Sequence, residues 1–102
     1  MAFLETYKQP EQGSGEIRGT QREVACSLWF PSGGAPYPVW FKFKDDNGDI
    51  QTVRDICIEY VEDKNYSGIP LKEYGCKAIV GGLLRDFKLI FYPENCKCRL
   101  II

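Results

Sequence analysis

Apolar and polar residues alternate with a period of two along most of the chain after Glu16. This period is typical of β-strands that bury one face, because successive side chains of a strand point to opposite sides. Segments with one apolar face cover residues 24–30, 39–44, 50–61, 74–80, 87–92 and 96–102. The pattern predicts an all-β fold: a small meander barrel or a strongly bent sheet of about six antiparallel strands.

Turn-forming residues separate these segments. The Asn-Gly pair at 47–48 predicts a type I′ hairpin turn, and the Gly-Gly pair at 81–82 predicts a tight turn. Clusters of proline, glycine, asparagine and serine predict loops over 31–38 and 62–70. One short helix is an alternative, either at 71–76 or in the first few residues, where apolar side chains have helical spacing.

The chain has 102 residues, enough for one domain with a single core. Residues 1–15 are polar and rich in breakers, so they predict a flexible N-terminal tail, and residues 16–102 predict a single β domain. The first residues lack the basic start and apolar run of a signal peptide, and no apolar stretch reaches the length of a membrane span. We therefore expect a cytoplasmic protein without a membrane partner.

The composition argues against the commonest catalytic arrangements, because the chain has no histidine. Pairs of a nucleophile with histidine and mixed cysteine–histidine zinc sites therefore cannot form. The glycine-rich stretches lack the lysine of a phosphate-binding loop, and the acidic turn around Gly48 does not fit a calcium-binding loop. We expect a protein that is not an enzyme, with no catalytic residue, no cofactor and no metal.

Five cysteines, an odd number, do not suit a disulfide scaffold and predict thiols in a reducing compartment. Cys26, Cys76, Cys96 and Cys98 fall on the apolar faces of their segments, where a thiol packs as a small hydrophobe. A metal or redox centre at Cys96 and Cys98 is the alternative interpretation.

Charge is balanced overall, with a formal net charge of -1, but it is unevenly distributed. Residues 45–63 are mostly acidic and residues 64–102 are mostly basic. These segments either form two faces of opposite sign or pair their charges across neighbouring strands. The near-neutral total disfavours a dedicated duplex-DNA binder, whose affinity depends on neutralising phosphates.

Two tryptophans define the candidate binding site. Trp29 and Trp40 lie opposite the apolar sets of their segments, and Lys42 and Lys44 share the face of Trp40. Tyr37, in the intervening loop, extends the group. Large aromatic side chains are typical anchors of protein interfaces, and aromatics beside lysines also form platforms for single-stranded nucleic acid. The alternative is that both tryptophans belong to the core or are covered by the N-terminal tail or another strand.

The sequence therefore predicts a small, non-catalytic interaction module with an unidentified protein partner. A small β-barrel that binds single-stranded nucleic acid through the same residues is the alternative. Homodimerisation through an edge strand remains open.

The order of these elements resembles that of small bacterial all-β proteins of Firmicutes type. The shared features are a first strand ending in Phe30, Gly34 followed by a proline, Phe41-Lys42-Phe43, Asn47-Gly48, Val53-x-x-Ile56, Tyr74, Gly81-Gly82 and Leu89-x-Phe91. The resemblance covers about three quarters of the chain. It implies a compact β domain, and it assigns no activity, cofactor or site residue.

Overall fold

A computed structural model describes residues 21–102, which form eight strands in two antiparallel sheets. The strands are β1 (Gln21–Glu23), β2 (Ala25–Trp29), β3 (Tyr37–Lys44), β4 (Ile50–Val53), β5 (Cys57–Tyr66), β6 (Ile69–Val80), β7 (Leu83–Tyr92) and β8 (Lys97–Ile101). The all-β prediction is confirmed. The helix considered at 71–76 is wrong, because those residues belong to β6. The predicted tail at 1–15 and the helical turn within it lie outside the described residues.

Each sheet is built mainly from strands that are consecutive in the chain. One sheet has the order β2-β3-β4, and the other has the order β1-β8-β7-β6-β5. The segment predicted as one strand over 50–61 is divided between the sheets, with a corner at Asp55, whose φ is 55°. Aspartate enters this left-handed region more readily than most residues. Residues 21–102 form no closed barrel, and within them no helix is long and apolar enough to cross a membrane.

The core lies between the two sheets. Its buried residues are Phe41, Phe43, Val53, Tyr74, Cys76, Ala78, Val80, Phe87, Leu89, Phe91 and Leu100. The rings of Phe41 in β3 and Phe87 in β7 meet edge-on across the sheets, with centroids 5.3 Å apart. The apolar faces predicted for 74–80 and 87–91 are confirmed. A smaller cluster of Leu71, Ile90 and Ile101 lies on the other side of the five-stranded sheet.

Two irregularities in strand pairing change the predicted faces. A register shift between Ile58 and Tyr60 moves Tyr60 away from the core side that Ile58 occupies. A second shift, opposite Ser27 and Leu28, leaves Val39 exposed between the pairs Ser27–Trp40 and Leu28–Pro38. Both are the expected effect of a β-bulge, which reverses the alternation beyond it.

The positions of the turns agree with the prediction better than their types do. At 45–49 the amide of Gly48 donates to the carbonyl of Asp45 (3.0 Å), and only Gly48 has a positive φ. This is a type I turn followed by a left-handed glycine, so the predicted type I′ turn is wrong. The loop predicted at 62–70 is also wrong: β5 and β6 pair throughout, up to Tyr66 and Ile69, and Ser67 and Gly68 form a tight turn with positive φ at both.

Opposite charges pair across β5 and β6. Lys72 lies 2.6 Å from Asp63, Lys64 lies 3.1 Å from Glu73, and Lys77 approaches Glu59. The acidic and basic segments of the sequence are therefore matched across neighbouring strands in this sheet, the second of the two expected arrangements.

The prediction that cysteine thiols pack on apolar strand faces is confirmed for three of the four cysteines. Cys76 is buried, and Cys26 and Cys98 pack against the core cluster. Cys96 is exposed, in the turn before β8, with a φ of 54°. Its assignment to an apolar strand face is therefore wrong, because the strand begins one residue later.

Candidate binding face

All five residues of the predicted site lie on one side of the three-stranded sheet. Strand alternation and register place them on the face directed away from Phe41 and Phe43, together with Arg54 at the end of β4. We call this surface the aromatic–cationic face. Its members are Trp29, Tyr37, Trp40, Lys42, Lys44 and Arg54.

Trp40 is at the centre of this face. It is half-buried, and its ring carries two cations: Arg54 Cζ lies 4.9 Å and Lys42 Nζ 5.7 Å from the ring centroid. Each such contact contributes about 0.5–1 kcal/mol at an exposed site. The indole therefore fixes the positions of two positive charges, and these side chains cover part of its ring.

Trp29 and Tyr37 form the aromatic end of the face. They are direct partners in the β2–β3 ladder, whereas Trp40 pairs with Ser27. Trp29 is 58% exposed and Tyr37 39% exposed. Trp29 is therefore next to Tyr37 rather than Trp40 in the ladder, and these two open rings share the face with the cations that lie over Trp40.

The loop before Tyr37 is anchored to the other sheet. The hydroxyl of Tyr74, on β6, donates to the carbonyl of Pro36 at 2.7 Å. Burial, the main cause, raises the pKa of Tyr74 to about 12, so this donor keeps its proton at neutral pH. The start of β3, which presents Tyr37, is thus tied to the core.

The acids nearest the face are bound elsewhere. Asp46 pairs with Arg22 of β1 at 2.8 Å. Asp45 accepts hydrogen bonds from the Gln51 side chain and from the amides of Asn47 and Asp49, and these bonds, that of Gln51 first, lower its pKa. Within residues 21–102, Lys42, Lys44 and Arg54 have no acidic partner within ion-pair distance. Among the described residues, the face therefore carries three positive charges without an acidic partner.

Arg54 is the member that sequence reasoning missed. Its place follows from two facts together: the hairpin at 45–49 pairs β3 with β4, and the register Phe41–Val53 puts the next residue beside Trp40. The alternation of Ile50, Thr52 and Arg54 on one side of β4 was a signal for it. The sequence predicts this hairpin, but a single strand over 50–61 would place Arg54 on the same side as Ile56 and Ile58 and therefore outside the predicted site.

A second polar cluster lies on the outer side of the five-stranded sheet. The carboxylate of Glu73, buried at 3% exposure, accepts from the Tyr60 hydroxyl at 2.6 Å and from Lys64 at 3.1 Å, and Lys88 is 3.8 Å away. Burial raises the pKa of Glu73, but these bonds and charges outweigh burial and leave it below its ordinary value. The carboxylate is fully partnered, which is the property of a structural ion pair.

A cleft adjoins this cluster. It measures about 270 Å³, is open to solvent, and is lined by residues of β5 to β8 that include Tyr60, Gly75 and Lys88. The ring of Tyr60 covers Gly75 so closely that a Cβ there would overlap it. The aromatic ring thus packs against the backbone of Gly75, a known way to stabilise a glycine within a sheet.

Burial, the largest effect, raises the pKa of the Cys76 thiol to about 12, which makes it a poor nucleophile at neutral pH. The hydrogen bond between the thiols of Cys26 and Cys98 raises the pKa of Cys26 and lowers that of Cys98. Within the described residues no group of three or more cysteine, aspartate or glutamate side chains is arranged to hold a metal ion.

Comparison of the chain with known protein families, with proteins of established function and with solved structures finds no match.

Proposed function

We propose that this protein is a non-catalytic binding module that engages a protein partner through the aromatic–cationic face. One observation carries the proposal: among the described residues, three cations without an acidic partner share an exposed face with three aromatic rings, whereas the lysines of β5, β6 and β7 in the other sheet each contact an acid. Aromatic and arginine side chains are the usual anchors of protein interfaces. Uncompensated charge adds steering and selectivity for an acidic surface.

Binding of single-stranded nucleic acid is the second candidate. It is favoured by the exposed rings of Trp29 and Tyr37, which lie opposite each other near lysines, as in platforms on which bases stack. The cations over Trp40 count against it, because a base could stack on that side of the indole only by displacing one of them. We therefore rank it below the protein partner.

We also propose that the protein works in the cytoplasm. The proposal is supported by its five free cysteines, which would persist as thiols in a reducing compartment.

The test is affinity capture from a lysate of the source organism, with and without nuclease. The immobilised proteins are the wild type, the variant Lys42→Glu/Arg54→Glu, and the control Arg85→Glu/Lys97→Glu, which makes the same charge change at exposed positions outside the face. We expect a discrete protein that survives nuclease, is retained by the control and is lost from the face variant. Equal retention by both variants would remove the face from the proposal.

Nucleic acid gives a different result in the same experiment. Retention that disappears with nuclease, and that falls about 10³-fold or more between about 50 and 200 mM salt, would replace the protein partner with the second candidate.

A further inference from the structure

The edge strand next to the aromatic–cationic face is unusually open to pairing. The two sheets have four edge strands, β1, β5, β2 and β4. Natural sheets protect their edges with charges, prolines, bulges or very short strands. β1 has three residues, two of them charged, and β5 has a bulge and many charged residues. β2, with the sequence Ala-Cys-Ser-Leu-Trp, and β4, with the sequence Ile-Gln-Thr-Val, contain neither charge nor bulge, the inserted residue of the β2–β3 pair being Val39 of β3. Of these two described edges, β4 is the one that leads directly into a cation of the aromatic–cationic face, Arg54.

The hydrogen bonds of the β3–β4 hairpin show which groups of β4 are directed outward. The amide of Asp45 donates to the carbonyl of Asp49 at 2.8 Å, so the backbone polar groups of Asp45 point towards β4. Alternation along an antiparallel ladder extends this to the pairs Phe43–Gln51 and Phe41–Val53. The N–H and C=O groups of Ile50 and Thr52 therefore point away from β3, where residues 21–102 supply no strand.

Side chains next to this edge specify the charge of a strand added there. Ile50 (60% exposed), Thr52 and Arg54 alternate along β4 on the aromatic–cationic face, and Lys42 is the direct partner of Thr52. A residue opposite Thr52 on an added strand would stand two strand spacings, about 10 Å, from Lys42. A lysine and a glutamate can meet across the small threonine between them. The backbone of Arg54, directly after β4, is one strand spacing nearer to the added strand, and its guanidinium lies over Trp40.

We infer that the partner is an acidic extended segment of another protein, which adds a strand to the free edge of β4 and places alternate carboxylates beside Arg54 and Lys42. This inference rests on the proposed function and names the form of the ligand. Main-chain hydrogen bonds to Ile50 and Thr52 supply affinity, and the cations select the sequence, as in other cases of strand addition. Asp49 and Asp55 flank β4 and limit the segment that an acidic strand can occupy.

The test begins with a displayed library of random short peptides, selected on the full chain. We expect enriched peptides with aspartate or glutamate at alternate positions and apolar residues between them. Absence of enrichment, or enrichment of basic peptides, would overturn the inference. The amides of Ile50 and Thr52 should also exchange rapidly with solvent in the free protein and become protected on binding. Protection before peptide is added would mean that residues 1–20 or a second copy already occupy the edge, and would equally overturn it.

Variants then separate strand addition from simple charge attraction. Thr52→Pro removes one outward N–H without removing a hydrogen bond of the β3–β4 ladder, and Thr52→Val is its control. We expect Thr52→Pro to weaken binding of the selected peptide about tenfold or more and Thr52→Val to leave it nearly unchanged. Because Thr52→Pro could fail to fold, the same peptide methylated at alternate backbone nitrogens is measured against the wild type, and it should also bind weakly.

The outcomes distinguish this inference from the proposed function. If Lys42→Glu/Arg54→Glu abolishes binding while Thr52→Pro and backbone methylation do not, the face binds its partner but strand addition is wrong. If Thr52→Pro abolishes binding and the charge variant does not, the acidic partner is wrong. If neither affects binding, both the inference and the proposed function fail.

Discussion

Lys64 compensates a buried carboxylate, and its replacement tests whether burial rather than distance sets the strength of an ion pair in this fold. Lys64 Nζ is 3.1 Å from Glu73, whose side chain is 3% exposed. In the next pair along the same two strands, Lys72 Nζ is only 2.6 Å from Asp63, whose side chain is 78% exposed. If distance set the strength, the Lys72–Asp63 pair would be the stronger. If burial sets it, the Lys64–Glu73 pair is the stronger.

The substitution Lys64→Met keeps most of the apolar stem and removes the charge. Glu73 then keeps the Tyr60 hydroxyl and the more distant Lys88, so the carboxylate is partly but not wholly uncompensated. Loss of one hydrogen bond to a buried charge costs about 1.5–3 kcal/mol, below the roughly 3–5 kcal/mol for a buried charge left without any partner. The matched variant Lys72→Met should cost less than about 1 kcal/mol, because Asp63 returns to water.

The assay is urea unfolding of the three proteins, in which a shift of the midpoint at constant slope reports a change in the free energy of unfolding. A cost for Lys72→Met equal to or larger than that for Lys64→Met would refute the reasoning. The pH dependence provides a second check. Because the folded pKa of Glu73 lies below its unfolded value, its stabilisation is fully present above the unfolded value, about 4.3, and is lost as the pH falls through the folded pKa. The difference between wild type and Lys64→Met should therefore shrink under acid conditions.

Three further predictions test local geometry. Trp29 is 58% exposed, and Trp40 is half-buried under two cations. Acrylamide should therefore quench the fluorescence of Trp29, measured in a Trp40→Phe protein, more strongly than that of Trp40, measured in a Trp29→Phe protein. Equal quenching would contradict this placement. Gly75→Ala should lower the free energy of unfolding by about 1–3 kcal/mol, because the new methyl displaces the tyrosine ring packed over it. Gly48→Ala, at a φ of 85°, should cost about 1–2 kcal/mol in chemical unfolding, whereas Gly33→Ala, with open space around its Cβ, should be nearly neutral.

The sequence predicts the strands well because their signal is local. Alternation at 74–80 and 87–91 needs no knowledge of neighbours, and the glycine pair at 81–82 has positive φ at both positions, as a tight turn requires. The turn at 67–68 was missed because serine, not glycine, takes the first left-handed position, at a φ of 52°. The polar residues around it then suggested a loop, although they lie on a long edge strand with few buried side chains.

The division into two sheets could not be read from the same pattern. It depends on one positive φ at Asp55 and on bulges near Tyr60 and Val39, and none of these changes the apparent period of the sequence. Each bulge reverses the alternation beyond it, so Tyr60 meets Glu73 rather than the core. The candidate site was less affected, because Trp40, Lys42 and Lys44 lie in an uninterrupted run of β3.

The two outer sheet faces differ in a way that folding alone does not require. On the five-stranded sheet, the lysines of β5, β6 and β7 each contact an acid, and Glu73 is stabilised by three neighbours. On the three-stranded sheet, Lys42 and Arg54 lie over the indole of Trp40, and Lys42, Lys44 and Arg54 have no acid within ion-pair distance among the described residues. The two cation–π contacts contribute about 0.5–1 kcal/mol each at an exposed site. Replacement of Lys42 and Arg54 should therefore lower the free energy of unfolding by no more than about 2 kcal/mol, which urea unfolding measures. A variant that is still folded under the capture conditions then loses binding through the face and not through the fold.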